Sequence, residues 1–199
     1  MSSLPPFAAV VLAGGRAARL GGRPKPQLEV GGRTMLDSVL AALDGAVPRV
    51  VVGPPQPVPT GVLLVRESPP GGGPVPALAA GLAAAGDAEV VAVLAADLPF
   101  VTVDVVTALR ERLTGDGVLV VDDTGRDQLL LGVWSTPVLR AATAGARPHA
   151  PLRGVLAPLA VRRYRPAVAP DHPAPWTDCD TPVELARARA HTVRPPADG

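Results

Sequence analysis

Short apolar runs alternate with amphipathic segments along most of this chain. Five runs are nearly continuous in apolar residues, and they lie at 7–12, 49–52, 62–65, 89–95 and 118–121. Such runs are typical of strands that are buried on both faces of a sheet. Apolar positions recur at helical spacing between these runs, in the segments 34–43, 76–85 and 102–113. Strands that alternate with helices predict a parallel sheet that is covered by helices on both faces.

The rest of the chain continues this pattern. We expect further strands at 129–134 and 161–164 and further helices at 137–143 and 182–190. No internal repeat or change of composition marks a second domain, so the pattern predicts one α/β domain over residues 1–192 with a mostly parallel central sheet. The segment 193–199 lacks apolar anchors, and we expect a flexible tail there.

Composition narrows the classes of function. The 199 residues have a net charge of +1, so no overall field draws nucleic acid or a membrane surface to the protein. The single cysteine, Cys179, excludes a disulfide framework and a cysteine-rich zinc site. No apolar stretch reaches the roughly 18 residues of a membrane span, and the N-terminus lacks a signal-peptide pattern. We therefore expect a cytoplasmic protein that binds neither nucleic acid nor a membrane.

The loop after the first apolar run has the composition of a phosphate-binding site. Gly14 and Gly15 let the backbone approach a ligand closely. Four cationic residues follow them, namely Arg16, Arg19, Arg23 and Lys25. The spacing is not that of a P-loop, since no Gly-Lys pair is present, nor that of a dinucleotide fingerprint, since the two glycines are adjacent. Local positive charge next to flexible backbone indicates a polyphosphate ligand.

A carboxylate follows another buried run. Asp97 comes directly after the apolar residues 90–96, and Thr102 is better placed to cap the helix that follows. Mg²⁺ prefers carboxylate oxygens as ligands, together with substrate phosphates and water. Parallel sheets bind their ligands at the carboxyl ends of the strands. We therefore expect Asp97 and the glycine loop at the same edge of the sheet, with Mg²⁺ at Asp97.

Three segments together resemble the molybdenum cofactor guanylyltransferase family, whose members are GT-A-type nucleotidyltransferases. They are Leu12-Ala13-Gly14-Gly15-Arg16, Asp97-Leu98-Pro99-Phe100 and Asp178-Cys179-Asp180-Thr181-Pro182. Similar segments occur at 73–82 and 128–134 and in a late helix at Leu152-Arg153. The resemblance implies a single Rossmann-like domain that transfers GMP from GTP to molybdopterin carrying molybdenum and releases pyrophosphate. It also implies transient contact with other proteins of cofactor biosynthesis or with molybdoenzymes.

The resemblance implies roles for positions in the first segment, shortly after it and in the second segment. Residues that would cradle the nucleotide through their backbone are Leu12, Ala13, Gly14 and Gly15. Arg19 and Lys25 would bind the triphosphate and stabilise the departing pyrophosphate. Asp97 would hold Mg²⁺ and would also belong to the residues that bind the nucleotide.

The resemblance extends to the middle and the end of the chain. The Gly73-Pro74 turn would lie beside the nucleotide, and Glu67 stands where relatives usually have an aspartate that contacts it. Asp178 and Asp180 would lie near the reacting phosphates or the pterin, as contacts of the acceptor or of a second metal ion.

Other functions stay open beside this one. Asp178 and Asp180 stand where guanylyltransferases often have asparagine, and aspartate also occurs there in relatives that use CTP. The run Pro24-Lys25-Pro26 is similar to that of sugar-phosphate nucleotidyltransferases. A cytidylyltransferase for the same cofactor and a sugar- or polyol-phosphate nucleotidyltransferase are therefore alternatives. An inactive nucleotide-binding module is an alternative of another class.

The expected chemistry gives the histidines no role. A phosphate acceptor needs no general base, because it has no proton to lose near neutral pH. His149, His172 and His191 stand in proline-rich or C-terminal segments. We expect all three at the surface, away from both motifs, whereas Trp134 and Cys179 are expected to pack in the interior.

Overall fold

The computed structural model describes residues 4–14, 19–20, 23–145 and 147–193, and only the backbone of residues 19, 20, 23 and 193. The tail that the sequence predicts at 193–199 therefore lies outside the described residues, apart from the backbone of Val193. Among the described residues, every helix is too short or too polar to cross a membrane.

Strands and helices alternate along the chain as the apolar pattern predicts. The strands are β1 (Ala8–Leu12), β2 (Arg19–Leu20), β3 (Arg23–Pro24), β4 (Glu29–Val30), β5 (Arg33–Thr34), β6 (Arg49–Val52), β7 (Val62–Val65), β8 (Val90–Ala95), β9 (Gly117–Val121), β10 (Asp127–Ser135) and β11 (Val161–Tyr164). The α-helices are α1 (Met35–Ala42), α2 (Pro74–Ala84), α3 (Val103–Glu111), α4 (Thr136–Thr143), α5 (Leu152–Leu156) and α6 (Pro182–Val193). A 3-10 turn covers Lys25–Gln27.

Threonine caps the start of α1 and, as predicted for Thr102, the start of α3. The hydroxyl of Thr34 accepts a hydrogen bond from the backbone N–H of Asp37 at 3.0 Å, and that of Thr102 accepts from Val105 at 3.4 Å. The start of α2 differs from the prediction, because it lies at Pro74 and not at Pro76. Proline fits the first helical turn, where its missing N–H has no partner to lose.

Seven strands form one central sheet in the order β11-β9-β10-β8-β1-β6-β7. The pairings β1·β6, β1·β8, β6·β7 and β9·β11 are parallel, so the prediction of a mostly parallel sheet is confirmed. β10 runs antiparallel to both of its neighbours, β8 and β9. The reason is the tight turn that joins β9 to β10, because a connection of a few residues can only reverse the chain.

Alternate residues of β1 pack on opposite faces of the sheet. Ala9 and Val11 belong to a core with α1 and α3, whereas Val10 and Leu12 belong to a second core with α2, α4 and α5. α2 lies so close to the sheet that a Cβ at Gly81 would stand 2.4 Å from Cγ1 of Val10. The result is a three-layer Rossmann-like domain whose central strands end together at one edge.

Candidate functional site

An open cleft of about 710 Å³ lies at the carboxyl edge of β1, β6, β7 and β8. Six of the residues that the sequence assigns to the site line this cleft: Leu12, Gly14, Glu67, Gly73, Pro74 and Asp97. The glycine loop and Asp97 therefore share one edge of the sheet, as expected from the strand ends. Gly15 and the side chains of Arg19 and Arg23 lie outside the described part of the chain.

The floor of the cleft consists of backbone atoms at the ends of β1 and β6. The N–H of Ala13 donates to the carbonyl of Val52 at 2.7 Å, which extends the β1–β6 ladder past Leu12. A Cβ at Gly53 would stand 2.9 Å from the carbonyl oxygen of Ala13, so the two strand ends approach as closely as glycine permits. Ala13 itself is buried, and only its backbone belongs to this surface.

Lys25 lies next to the cleft and contacts two carboxylates from distant parts of the chain. Its side chain is 7% exposed, and its Nζ donates to Oδ2 of Asp97 at 2.5 Å and to Oδ1 of Asp180. Burial alone lowers the pKa of Lys25, but the hydrogen bonds with Asp180 and Asp97 outweigh it and the pKa lies above its ordinary value. Lys25 is therefore an ammonium at neutral pH, held between two anions.

The 3-10 turn that holds Lys25 is fixed to a neighbouring loop. Gln27 donates from Nε2 to Oε1 of Gln56 at 3.2 Å and to the carbonyl of Pro57 at 3.1 Å. Pro24 and Pro26 restrict the backbone on either side of Lys25. These contacts position the buried ammonium without help from the ligand.

The C-terminal motif reaches the site through the start of α6. Thr181 and Glu184 form a capping box, in which the Glu184 carboxylate accepts from the Thr181 N–H at 2.7 Å and the Thr181 hydroxyl accepts from the Glu184 N–H at 3.2 Å. Cys179 is buried beside Leu28 and Met35. This packing holds the intervening Asp180 at Lys25.

The residues beside Asp180 have shifted pKa values. Burial raises the pKa of the Cys179 thiol to about 11, so the thiol is neutral and its predicted packing role fits. The pKa of Asp178 also lies above its ordinary value, because neighbouring atoms partly desolvate it and the carboxylates of Asp180 and Asp97 lie near. Negative charge therefore accumulates here beyond what one lysine neutralises.

The donor set of this cluster suits a hard divalent cation. Asp97 and Asp180 share one ammonium, so their oxygens are close enough to share a cation. No group of three or more His, Cys, Asp and Glu side chains in the described ranges could hold a metal ion. A metal at Asp97 and Asp180 would therefore take its remaining ligands from water and substrate, as Mg²⁺ commonly does.

The wall of the cleft also contains Glu67, which the sequence assigns to the site, and Leu130, which it does not. Glu67 accepts at Oε1 from the Gly71 N–H at 2.8 Å and so closes the loop before α2. Leu130 enters the cleft from β10, where the register with β9 shifts between Gln128 and Gly132. A bulge of this kind turns side chains toward a site and leaves no periodic signal in the sequence.

His149 also lines the cleft, and the prediction that it lies away from both motifs is wrong. Its side chain is exposed, as expected, but its backbone N–H donates to the carbonyl of Gly72 at 2.6 Å. The loop between α4 and α5 folds back over the start of α2, and this brings His149 to the cleft. His172 and His191 are exposed, as predicted.

Comparisons with known proteins agree with this arrangement. The model of the family described as MobA-like NTP transferase domain matches residues 9–168. A protein of Mycobacterium tuberculosis (strain ATCC 25618 / H37Rv), named probable molybdenum cofactor guanylyltransferase, is 39% identical over 139 residues, which are 66% of this chain and 69% of that protein. Asp178 and Asp180 lie beyond the segment that the family model matches.

Two solved structures show the same fold. Molybdopterin-guanine dinucleotide biosynthesis protein A from Archaeoglobus fulgidus is 19% identical with a TM-score of 0.66, over 92% of this chain and 97% of that one. The 2-C-methyl-D-erythritol 4-phosphate cytidylyltransferase from Thermus thermophilus is 21% identical with a TM-score of 0.68, over 94% of this chain and 98% of that one. At these identities the likeness concerns the fold alone.

Proposed function

This chain belongs to the MobA-like NTP transferase family, and on that basis we propose that it transfers GMP from GTP to molybdenum-bearing molybdopterin with release of pyrophosphate. The observation that supports the proposal most is the Lys25 ammonium between Asp97 and Asp180, at the edge of a cleft that is lined by Leu12 and Gly14. The name of the Mycobacterium tuberculosis relative points to the same substrates.

The proposed reaction joins two phosphates without a general base. An oxygen of the acceptor phosphate attacks the α-phosphorus of GTP, the bond to the β-phosphate oxygen breaks, and pyrophosphate leaves with the electron pair. The protein contributes by aligning the two phosphates and by neutralising the charge that develops. The backbone at Leu12, Ala13, Gly14 and Gly15 would hold the nucleotide, with Glu67, Gly73 and Pro74 on the other side of the cleft.

Lys25 is suited to bind the triphosphate and to stabilise the leaving pyrophosphate. Its position is fixed by the prolines beside it, and its charge is maintained by two carboxylates. Arg19 is assigned the same role by resemblance alone. Asp97, with Asp180, would hold Mg²⁺, which when bound supplies positive charge to the phosphates. Asp178 would add a further contact to the metal or the acceptor.

The alternative of a cytidylyltransferase keeps the same chemistry and changes the base. It is supported by the fold shared with the Thermus thermophilus enzyme and by aspartate at positions 178 and 180. Both functions take a nucleoside triphosphate and an acceptor phosphate, so the choice between them depends on the base and the acceptor.

Nucleotide selectivity tests the proposal directly. We expect GTP with Mg²⁺ to raise the thermal unfolding midpoint more than CTP, ATP or UTP, because a ligand that binds only the folded state stabilises it by RT ln(1 + [L]/Kd). We also expect pyrophosphate release from GTP only when molybdopterin is present. A preference for CTP would favour the cytidylyltransferase, and stabilisation by a nucleotide without pyrophosphate release would favour the inactive module. No response to any nucleotide would contradict the proposal.

A further inference from the structure

His149 has a backbone conformation that residues other than glycine adopt infrequently. Its φ is 62°, and it is the only non-glycine residue with positive φ among those that the structure describes. Left-handed backbone is unfavourable for a residue with a Cβ, and glycine or asparagine fits it better. Residues held in such conformations cluster at ligand-binding sites.

The loop that contains His149 is docked on the start of α2. The hydrogen bond from the His149 N–H to the Gly72 carbonyl fixes its backbone. Gly73 has a φ of 94°, and a Cβ there would stand 3.5 Å from Cα and 3.8 Å from Nδ1 of His149. The imidazole therefore faces the Gly73 turn in the wall of the cleft.

Three positions at the start of α2 offer no free backbone donor. Pro74 and Pro76 have no N–H, and the N–H of Ala77 is engaged by the Gly73 carbonyl at 3.3 Å. The ammonium of Lys25 with Asp97 and Asp180 forms the cluster that suits phosphates and metal. An imidazole can stack on a base and can both donate and accept hydrogen bonds. The side chain of His149 therefore adds an aromatic, polar group to a wall that also contains Arg66 and Glu67.

We propose that His149 binds the nucleoside part of the substrate, its base or its ribose, while the phosphates occupy the Lys25 side of the cleft. This inference rests on the proposed nucleotidyltransferase function. The unfavourable backbone conformation is retained because it brings the imidazole to the ligand.

Two substitutions separate the imidazole from the backbone. His149→Gly and His149→Ala both remove the ring, but only glycine accepts the positive φ without strain. We expect both variants to bind the preferred nucleoside triphosphate with Mg²⁺ about three- to tenfold more weakly, as for the loss of one hydrogen bond. The unfolding midpoint of the glycine variant should exceed that of the alanine variant by roughly 2–4 °C. His172→Ala, at an exposed histidine outside the cleft, is the control and should bind like the wild type.

A second ligand shows which part of the substrate His149 contacts. Inorganic tripolyphosphate has no nucleoside, so its inhibition constant, measured by competition against the triphosphate, should be the same in the wild type and both variants. Equal weakening of tripolyphosphate and nucleotide, or triphosphate binding within about twofold of the wild type, would overturn the inference alone. A wild-type protein that binds no nucleoside triphosphate would overturn the proposed function, and the inference with it.

Discussion

At the scale of single residues, the ammonium of Lys25 connects three parts of the chain that are distant in sequence. Lys25 lies 72 residues before Asp97 and 155 residues before Asp180, and it contacts both carboxylates. A buried charge that loses its partner is strongly destabilising. Each carboxylate therefore helps to keep Lys25 charged. If one of them is removed, Lys25 still has the other as its partner.

Asp97→Ala should abolish most of the turnover and spare the fold. Loss of one electrostatic contact to the reacting phosphates costs about 10²–10³ in rate, and Lys25 keeps Asp180 as its partner. We expect kcat to fall by that factor in a pyrophosphate-release assay, with a circular dichroism spectrum like that of the wild type. Asp87→Ala, at an exposed turn aspartate, is the matched control. Near wild-type activity of the Asp97 variant would contradict the assignment of Asp97 to the metal.

Close contact between a helix and the sheet is the main constraint at the element scale. Gly81 of α2 lies over β1 and β6, and a Cβ there would stand 2.4 Å from Val10 and 2.8 Å from Val52. The backbone of α2 can lie this near only because position 81 has no side chain. The position of the helix determines where its start, Gly73-Pro74, meets the cleft.

Gly81→Ala should destabilise the protein although alanine is the better helix former. Overpacking costs about 1–3 kcal/mol, and two contacts below 3 Å place the cost toward the upper end, above the roughly 1 kcal/mol that alanine gains in helix propensity. We expect a fall of a few degrees in the thermal unfolding midpoint. Gly154→Ala in α5 is the matched control, since a Cβ there meets its first neighbour at 3.6 Å and should raise the midpoint. An unchanged midpoint for Gly81→Ala would show that α2 can move away from β1.

The turn between β9 and β10 depends on one ionised side chain. Asp122 accepts hydrogen bonds from the N–H and hydroxyl of Thr124, from the Arg126 N–H and from Nε2 of Gln128. These hydrogen bonds hold the pKa of Asp122 below its ordinary value of 3.8, and the bond from the Thr124 hydroxyl contributes most. A carboxyl whose pKa is lowered on folding stabilises the fold above its unfolded pKa, and this contribution disappears as the pH falls through the folded pKa.

Asp122→Asn should therefore be less stable than the wild type at neutral pH and should approach it in acid. The amide removes the charge and sets an NH₂ group against one of the donors. Urea unfolding at about pH 7 and at about pH 3 measures the two differences in midpoint. Asp123→Asn, at the exposed neighbour, should change little at either pH. A difference that is the same at both pH values would assign the effect to packing and not to charge.

At the scale of the whole molecule, the sequence predicts the layers better than the strand directions. The bounds of β6, β7 and β11 agree with the prediction. For β6 and β7, short apolar runs bounded by turn residues leave little choice. The antiparallel direction of β10 leaves no trace in its apolar pattern, since a buried strand looks the same either way. Only the turn residues Asp122, Asp123 and Gly125 indicate it, because they are typical of a hairpin. The two-residue strands β2 to β5 are too short to show any period.

The site residues at the ends of strands could be predicted from the sequence. Those that reach the site through loops and through the packing of α6 could not. Leu12 and Asp97 each end a buried run, so their shared edge followed from parallel topology. Asp180 reaches Lys25 through the docking of α6, and His149 reaches the cleft through a loop with unusual backbone. Both arrangements arise from tertiary packing that no local pattern encodes.

The two tryptophans occupy different surroundings, and this gives the protein two natural fluorophores. Trp134 is 1% exposed in the core beneath α2 and α4, whereas Trp176 is partly buried and precedes Asp178 by two residues. Emission from Trp134 follows the integrity of the core. Emission from Trp176 follows the segment that leads into the carboxylate cluster. In a Trp134→Phe variant, the intrinsic fluorescence of Trp176 would therefore report on the cleft without an added label.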